Sequence, residues 1–342
     1  MPIRLDDISS TAWEHPADRA ALNALRALPG FDAVVRRVAG FFGERGIRQL
    51  FLANAVRVGP TQYPALWAGY QEMLRALDWP GAHAAPGASG RVPELYVTQT
   101  PFVNAGAVGF ADPFIILNTA SVELLEPEEQ RFLLAHEIGH IASGHVTYNT
   151  IAIILLTLGL NSLPAFAGLA LLPFRLALLE WYRKAELSCD RAGVLGVQDP
   201  RVAYRAFLKL AGGARRGTPG ADVALDLDAY LAQAAEYEAV GSAWDRVLQV
   251  LATAQQDHPF HTVRVGELQR WVQGGDYARI LAGDYARRAD APRPLGDDVG
   301  DAADYYGEQV RQATASVREA VERAADAFAG AVGDAFRGRP WG

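Results

Sequence analysis

Apolar residues recur near the start of the chain at the three-and-four spacing of a helix face. Phe31, Val34, Val35, Val38 and Phe42 do so ahead of Gly46, and Leu66, Tyr70, Leu74 and Leu77 ahead of Pro80. Such stripes face a core, so residues 18–80 are expected to be helical. From 81 to 91 the chain turns to Gly, Ala and Pro, a loop and a boundary. The period then shortens. Runs at 95–98, 102–110 and 114–117 are β-prone and are broken by Pro101 and by Asp112-Pro113, the pattern of a small sheet. Glu126-Pro127-Glu128-Glu129 opens a strong helix, with proline in its first turn and acids where the helix dipole favours negative charge. Another helix is expected over 181–193, and three or four more between 201 and 273, punctuated by Gly212-Gly213 and Gly274-Gly275. Residues 288–300 read as a linker. The Ala-rich stretch 301–336 spaces Val310, Val317, Val321, Phe328, Val332 and Phe336 along one face.

The pattern thus predicts a mainly helical α+β protein in four parts. These are a helical region over 1–90, a central domain over 91–287, the linker at 288–300 and an amphipathic helical tail over 301–342. Half of the 342 residues are hydrophobic, enough for one large core or a core with a small appended domain. The net charge of -7 is scattered, and no basic stripe argues for nucleic acid. Only Lys184 and Lys209 are lysines among the 32 basic residues, a bias of genome composition rather than function. A single cysteine, Cys189, excludes an internal disulfide framework and fits a reducing compartment. The first residues, MPIRLDDISSTAWEHP, hold no apolar signal core, so a cytoplasmic location is expected.

The strong helix carries HEIGH. Residues four apart lie one turn above each other, so His136 and His140 project together and can reach one tetrahedral zinc at about 2.0 to 2.1 Å. Glu137 is offset by about 100° and stands beside the metal rather than on it. There it can take the proton of a zinc-activated water and later pass it to the leaving amine. With seven histidines, H-E-x-x-H arises by chance in roughly one chain in a hundred of this length, so its context must carry the rest. The motif follows a β-prone segment, and Leu134, Ile138 and Ile141 occupy the face opposite the histidines. A third protein ligand is required. His145, five residues past His140, would project to the far side of a continuous helix and reads as a structural or helix-end histidine. Ser143 stands where a metzincin would need glycine. Glu186 in RKAELSCD is the better ligand, with Asp190 one turn further on the same face, where an acid can accept the other ring N–H of a ligating histidine.

HEIGHIASGH, a long apolar insert, Arg183, Glu186 and Asp190 in R-x-x-E-x-x-x-D, HPF-x-x-x-R from His258 to Arg264, and VNAG ahead of the active-site helix together resemble the HtpX and CAAX prenyl protease family of gluzincins. The resemblance covers about residues 94 to 270. It implies a zincin-like catalytic domain with a small β-sheet beside the HExxH helix, flanked by extra N- and C-terminal helices. It also implies one zinc ion per chain, Asp190 supporting His136, and Asn104 and Ala105 on an edge strand that binds the substrate backbone. His258 would steady the oxyanion. Cys189 departs from the usual E-x-x-A-D and reads as a small buried residue.

Residues 146–174 run for 29 positions without a charge, beyond the length of a membrane span. A single crossing would separate His140 from Glu186 by a core of about 30 Å, and the two could not share a metal. Two crossings would each rise only about 22 Å. Asn161, Ser162 and Pro164 at the centre therefore predict a helical hairpin within 146–180 that packs on the domain, docks on a partner or dips into one leaflet at the cytoplasmic face. The expected activity is a zinc endopeptidase acting on unfolded or membrane-associated polypeptides, the substrate class coming from the resemblance. The alternatives are a non-catalytic, zinc-stabilised chaperone-like module and a membrane-associated scaffold.

Overall fold

The computed structural model describes residues 1–27, 31–80, 91–157, 165–213, 225–239 and 260–290. The chain begins with α1 (Pro16–Arg26) and α2 (Phe31–Leu52), followed by the three-residue strand β1 (Ala55–Arg57) and α3 (Pro64–Ala76). Strands β2 (Glu94–Thr98), β3 (Ala105–Val108) and β4 (Phe114–Asn118) come next, then the short α4 (Thr119–Leu124) and the motif helix α5 (Pro127–Ala142). Helices α6 (Val146–Thr157), α7 (Ala165–Val197), α8 (Pro200–Gly212), α9 (Leu227–Ala239), α10 (His261–Gln273) and α11 (Asp276–Leu281) complete the described chain. It is a mainly helical α+β fold. The sheet has the order β1-β2-β4-β3, with β2 and β4 parallel and the other pairs antiparallel, so β3 forms one edge.

Helix α5 starts where its sequence says it should. Pro127 occupies the first turn, and the Glu129 carboxylate turns back to accept the backbone N–H of Glu126 at 2.8 Å. Lys209 on α8 donates to the same Glu129 at 2.7 Å and so fixes this end of α5 from outside. The helix has no clean polar face because it is packed by β3, α3, α7 and α8 at once.

Its closest neighbour is α7, and glycines set that distance. A methyl at Gly139 would fall 2.7 Å from Cβ of Ala192, and one at Gly193 would fall 2.5 Å from the Phe132 ring. Phe132 in turn packs edge-on against Phe207, with centroids 5.5 Å apart. Gly193→Ala is therefore expected to cost about 1–3 kcal/mol by overpacking, read as a lower chemical-denaturation midpoint at unchanged slope. A midpoint equal to wild type would show that α5 and α7 can separate freely.

The first residues are not peripheral. Leu5, Ile8 and Trp13 are buried in the same core as the sheet and α5, and Ile8 pairs with Arg287 across the ends of the described chain. At the start of the expected linker, Arg288 is held by Asp7 at 3.0 Å and by Asp78 at 2.6 Å. The remainder of that linker, from 291, and the amphipathic tail lie outside the described residues. The apolar insert is described on both sides of 158–164, as α6 and as the start of α7, and these two helices pack together. The expected turn at Asn161, Ser162 and Pro164 lies outside the described residues. Among the described residues no helix is long and apolar enough to cross a membrane.

Candidate metal centre

Helix α5 presents His136 and His140 on one face, and α7 crosses it so that Glu186 meets both rings. The Nε2 atoms of the two histidines are 3.2 Å apart. Glu186 places Oε1 3.2 Å from Nε2 of His140 and Oε2 3.6 Å from Nε2 of His136. Donors sitting about 2.0–2.1 Å from one tetrahedral ion are separated by about 3.3 Å, so these spacings suit a single zinc-sized cation. All three residues are buried, and their donor atoms form a group able to hold a metal ion.

A carboxylate braces the arrangement from behind. Oδ1 of Asp190, one turn beyond Glu186 on α7, lies 3.1 Å from Nδ1 of His136. Asp190 also receives a two-pronged contact from Arg264 on α10, which reaches Oδ2 at 2.8 Å through Nε and Oδ1 through Nη2. The same guanidinium extends Nη1 to within 3.2 Å of Glu186. Burial alone would raise the Asp190 carboxyl, but the Arg264 charge and hydrogen bonds outweigh it and hold the group ionised, below its usual range. Burial lowers both imidazoles. In the metal-free chain it leaves His140 at about 4, whereas the charges of Glu186 and Asp190 lift His136 to about 10. An ion that binds both rings must therefore displace one proton, and acid competes with it.

Glu137 follows His136 on α5 and lines a cleft of about 330 Å³ together with His136, Glu186 and Arg264. Asn104 and Ala105, at the start of the edge strand β3, form one wall of that cleft; Phe132, Phe207, Leu210 and Phe260 provide apolar surface. The Asn104 backbone is pinned by Ser121, which accepts its N–H at 2.8 Å and donates to its carbonyl at 2.7 Å. His258 lies outside the described residues, so its expected place near the oxyanion is not described.

His145 is not where a continuous helix would put it. The helix ends at Ala142, and Gly144 takes a left-handed φ of 69°, a conformation glycine reaches without steric cost. That turn swings His145 back until its Nδ1 is 3.3 Å from Nδ1 of His140, behind the site rather than beside Leu134. It remains a helix-end histidine, as the sequence suggested. Cys189 is fully buried, 3.6 Å from His145, and burial pushes its thiol well up, which suits a small packing residue.

Two residues that join the cluster were not singled out from the sequence. Arg264 had a signal, the arginine of HPF-x-x-x-R, to which no role was attached. Asp18 on α1, which contacts His145, had none.

Residues 81–272, more than half of the chain, match peptidase family M48. The chain belongs to peptidase family M48. A curated relative, the plastoglobule-localized metallopeptidase 48 of Arabidopsis thaliana, is 32% identical over 285 residues, covering 82% of this chain and 78% of the plant protein. The protease HtpX homolog of Moorella thermoacetica is 27% identical over 124 residues, covering 36% of this chain and 37% of the bacterial one. No solved structure matches significantly. The M48 assignment makes the chain a peptidase of a metallopeptidase family, in accord with the resemblance seen in its motifs.

Proposed function

We propose that this M48 peptidase is a zinc endopeptidase in which His136, His140 and Glu186 hold one ion and Glu137 is the proton carrier. The substrate is an extended polypeptide lying along the β3 edge at Asn104 and Ala105. The observation that supports this reading best is the spacing of the three donors, 3.2, 3.2 and 3.6 Å, inside a cleft that Glu137 also lines. When bound, zinc supplies Lewis acidity, which makes a water nucleophilic near neutral pH and polarises a carbonyl.

The chain's own residues do the rest. Glu137 takes the proton of the attacking water and returns it to the leaving amine, a general-base and then general-acid role. Asp190, with Oδ1 3.1 Å from Nδ1 of His136, is placed to take that Nδ1–H and so to keep the Nε2 lone pair turned inward. Arg264 keeps Asp190 ionised and, through its contacts to both carboxylates, orients Asp190 and Glu186. The edge strand β3, partly exposed at Ala105 and Gly106, suits an extended backbone, which can add as a further strand while side chains enter the apolar part of the cleft. That preference for extended chain fits unfolded proteins, or segments released at a membrane surface, as substrates. A purely structural zinc site would use four protein donors and would need no acid beside an open position, which disfavours the chaperone-like alternative.

Metal removal tests the proposal directly. Cleavage of a casein-like unfolded substrate should fall to background after dialysis against a chelator, and about one equivalent of zinc per chain should restore it. Undiminished cleavage by protein shown to be metal-free would refute the mechanism.

A further inference from the structure

A line of buried polar side chains leads away from the back of His140 to the N-terminal helix. Nδ1 of His140 lies 3.3 Å from Nδ1 of His145, whose Nε2 lies 3.1 Å from Oδ2 of Asp18 on α1. Asp18 also receives the hydroxyl of Ser188 at 2.6 Å and the indole N–H of Trp181 at 3.0 Å. Asp18 and His145 are each 1% exposed. A carboxylate buried this deeply is tolerated only with several donors, and Asp18 has three.

We infer that Asp18 and His145 are positioning residues for the metal centre, together fixing His140 with its proton on Nδ1 and its Nε2 lone pair aimed at the ion. The inference rests on the ligand assignment proposed above. Its logic is one of donors and acceptors. Asp18 accepts from the Trp181 indole and the Ser188 hydroxyl, and the His145 nitrogen facing it, Nε2, donates as the third. Once Nε2 of His140 holds an ion, its one proton sits on Nδ1, which faces Nδ1 of His145. Only a bare Nδ1 can accept it, so ligation imposes the neutral His145 although the nearby Asp18 charge outweighs burial and favours its cation in the metal-free chain. The Cys189 sulfur lies 3.6 Å from Nδ1 of His145, and a thiol that keeps its proton is a second donor toward it. Both ligating histidines are then oriented by a carboxylate, His136 directly by Asp190 and His140 through His145 by Asp18. The first helix thereby becomes part of the catalytic machinery.

Two arrangements compete with this one. The Asn149 amide lies equally near, with Nδ2 3.3 Å from Nδ1 of His140 and its buried Oδ1 without a hydrogen-bond partner; turned over, that oxygen would accept the same proton. His140, His145 and Cys189 also form a group able to hold an ion, although His140 would then have to ligate through both ring nitrogens.

The test uses the full chain loaded with zinc and labelled with ¹⁵N-histidine. Long-range proton–nitrogen correlation should show neutral His145 protonated at Nε2. Asp18→Asn should raise the zinc Kd about tenfold at unchanged one-to-one stoichiometry, measured against a chromophoric chelator. Leu25→Ala loosens α1 in the apolar cluster around Trp181 and removes no polar side chain of the line. It should lower Tm but keep the zinc Kd within about twofold, separating positioning from packing. The inference is overturned by a His145 that is cationic or protonated at Nδ1, or by a folded Asp18→Asn with wild-type affinity. An affinity loss in Asn149→Ala that Asp18→Asn does not share, or two zinc ions per chain, would overturn it too. Should Asp18→Asn fail to fold, the wild-type tautomer decides. Wild type that binds zinc and a His136→Ala that does not would leave the ligand assignment standing whatever Asp18→Asn does; wild type that binds none would end both.

Discussion

Glu137→Gln is expected to keep its zinc and its fold while losing about three orders of magnitude in kcat/KM on an unfolded polypeptide. The substitution keeps the shape of a side chain that is only 3% exposed, so packing against α7 and the cleft walls changes little. What it removes is the ability to take a proton. General acid–base catalysis by one placed side chain is worth on the order of 10² to 10⁴, and a thousandfold loss corresponds to about 4 kcal/mol of transition-state stabilisation. Zinc content and Tm measured alongside distinguish the outcomes. Equal activity in the two proteins would remove Glu137 from the mechanism. A variant that has lost its zinc would instead make Glu137 a ligand and require the donor set to be redrawn.

The second large effect is expected from Glu186→Ala, which should lose zinc and activity together. Its two oxygens lie 3.2 and 3.6 Å from the ring nitrogens of the two histidines, so the substitution deletes one of three donors and the negative charge among them. Zinc affinity should fall by more than about a hundredfold, beyond what loss of a supporting partner alone costs. The fold should also weaken, because Arg264 is 6% exposed and gives up a carboxylate 3.2 Å from Nη1. Since Arg264 keeps both contacts to Asp190, the cost should sit at the low end of that for a broken buried pair, about 3 kcal/mol. Glu186→Gln, of nearly the same volume, separates ligation from packing: it should retain more stability than the alanine variant yet still bind zinc poorly. Stoichiometric zinc at wild-type affinity in Glu186→Ala would strike that residue from the site.

Where sequence reasoning succeeded, the signal was local. Four-residue spacing places His136 above His140 on any helix, and the Glu126 to Glu129 start announces that helix before its partners are known. Spacing also puts Asp190 on the face of Glu186, so one helix supplies both acids. It failed where the information is not periodic. β1 is three residues long within a stretch read as helical, and it exists because Ala55–Arg57 finds β2 to pair with. A strand that short carries no detectable alternation. His145 was placed on a continuing helical wheel, but Gly144 ends that wheel and turns the ring back onto His140.

The sequence by itself determined the chemistry on offer: two imidazoles and a carboxylate on one helix, two further acids a turn apart on another, and one thiol too isolated for a disulfide. Only the tertiary structure decided which of these meet. His140 and Glu186, 46 positions apart, close to 3.2 Å because Gly139 and Gly193 let α5 and α7 approach. Arg264, from 74 residues beyond Asp190, and Asp18, from more than a hundred residues before His145, arrive by the docking of α10 and α1. Covalent spacing dictates neighbours within a helical turn, whereas contacts over such distances follow from how whole apolar faces bury one another. No pattern within either segment encodes that choice.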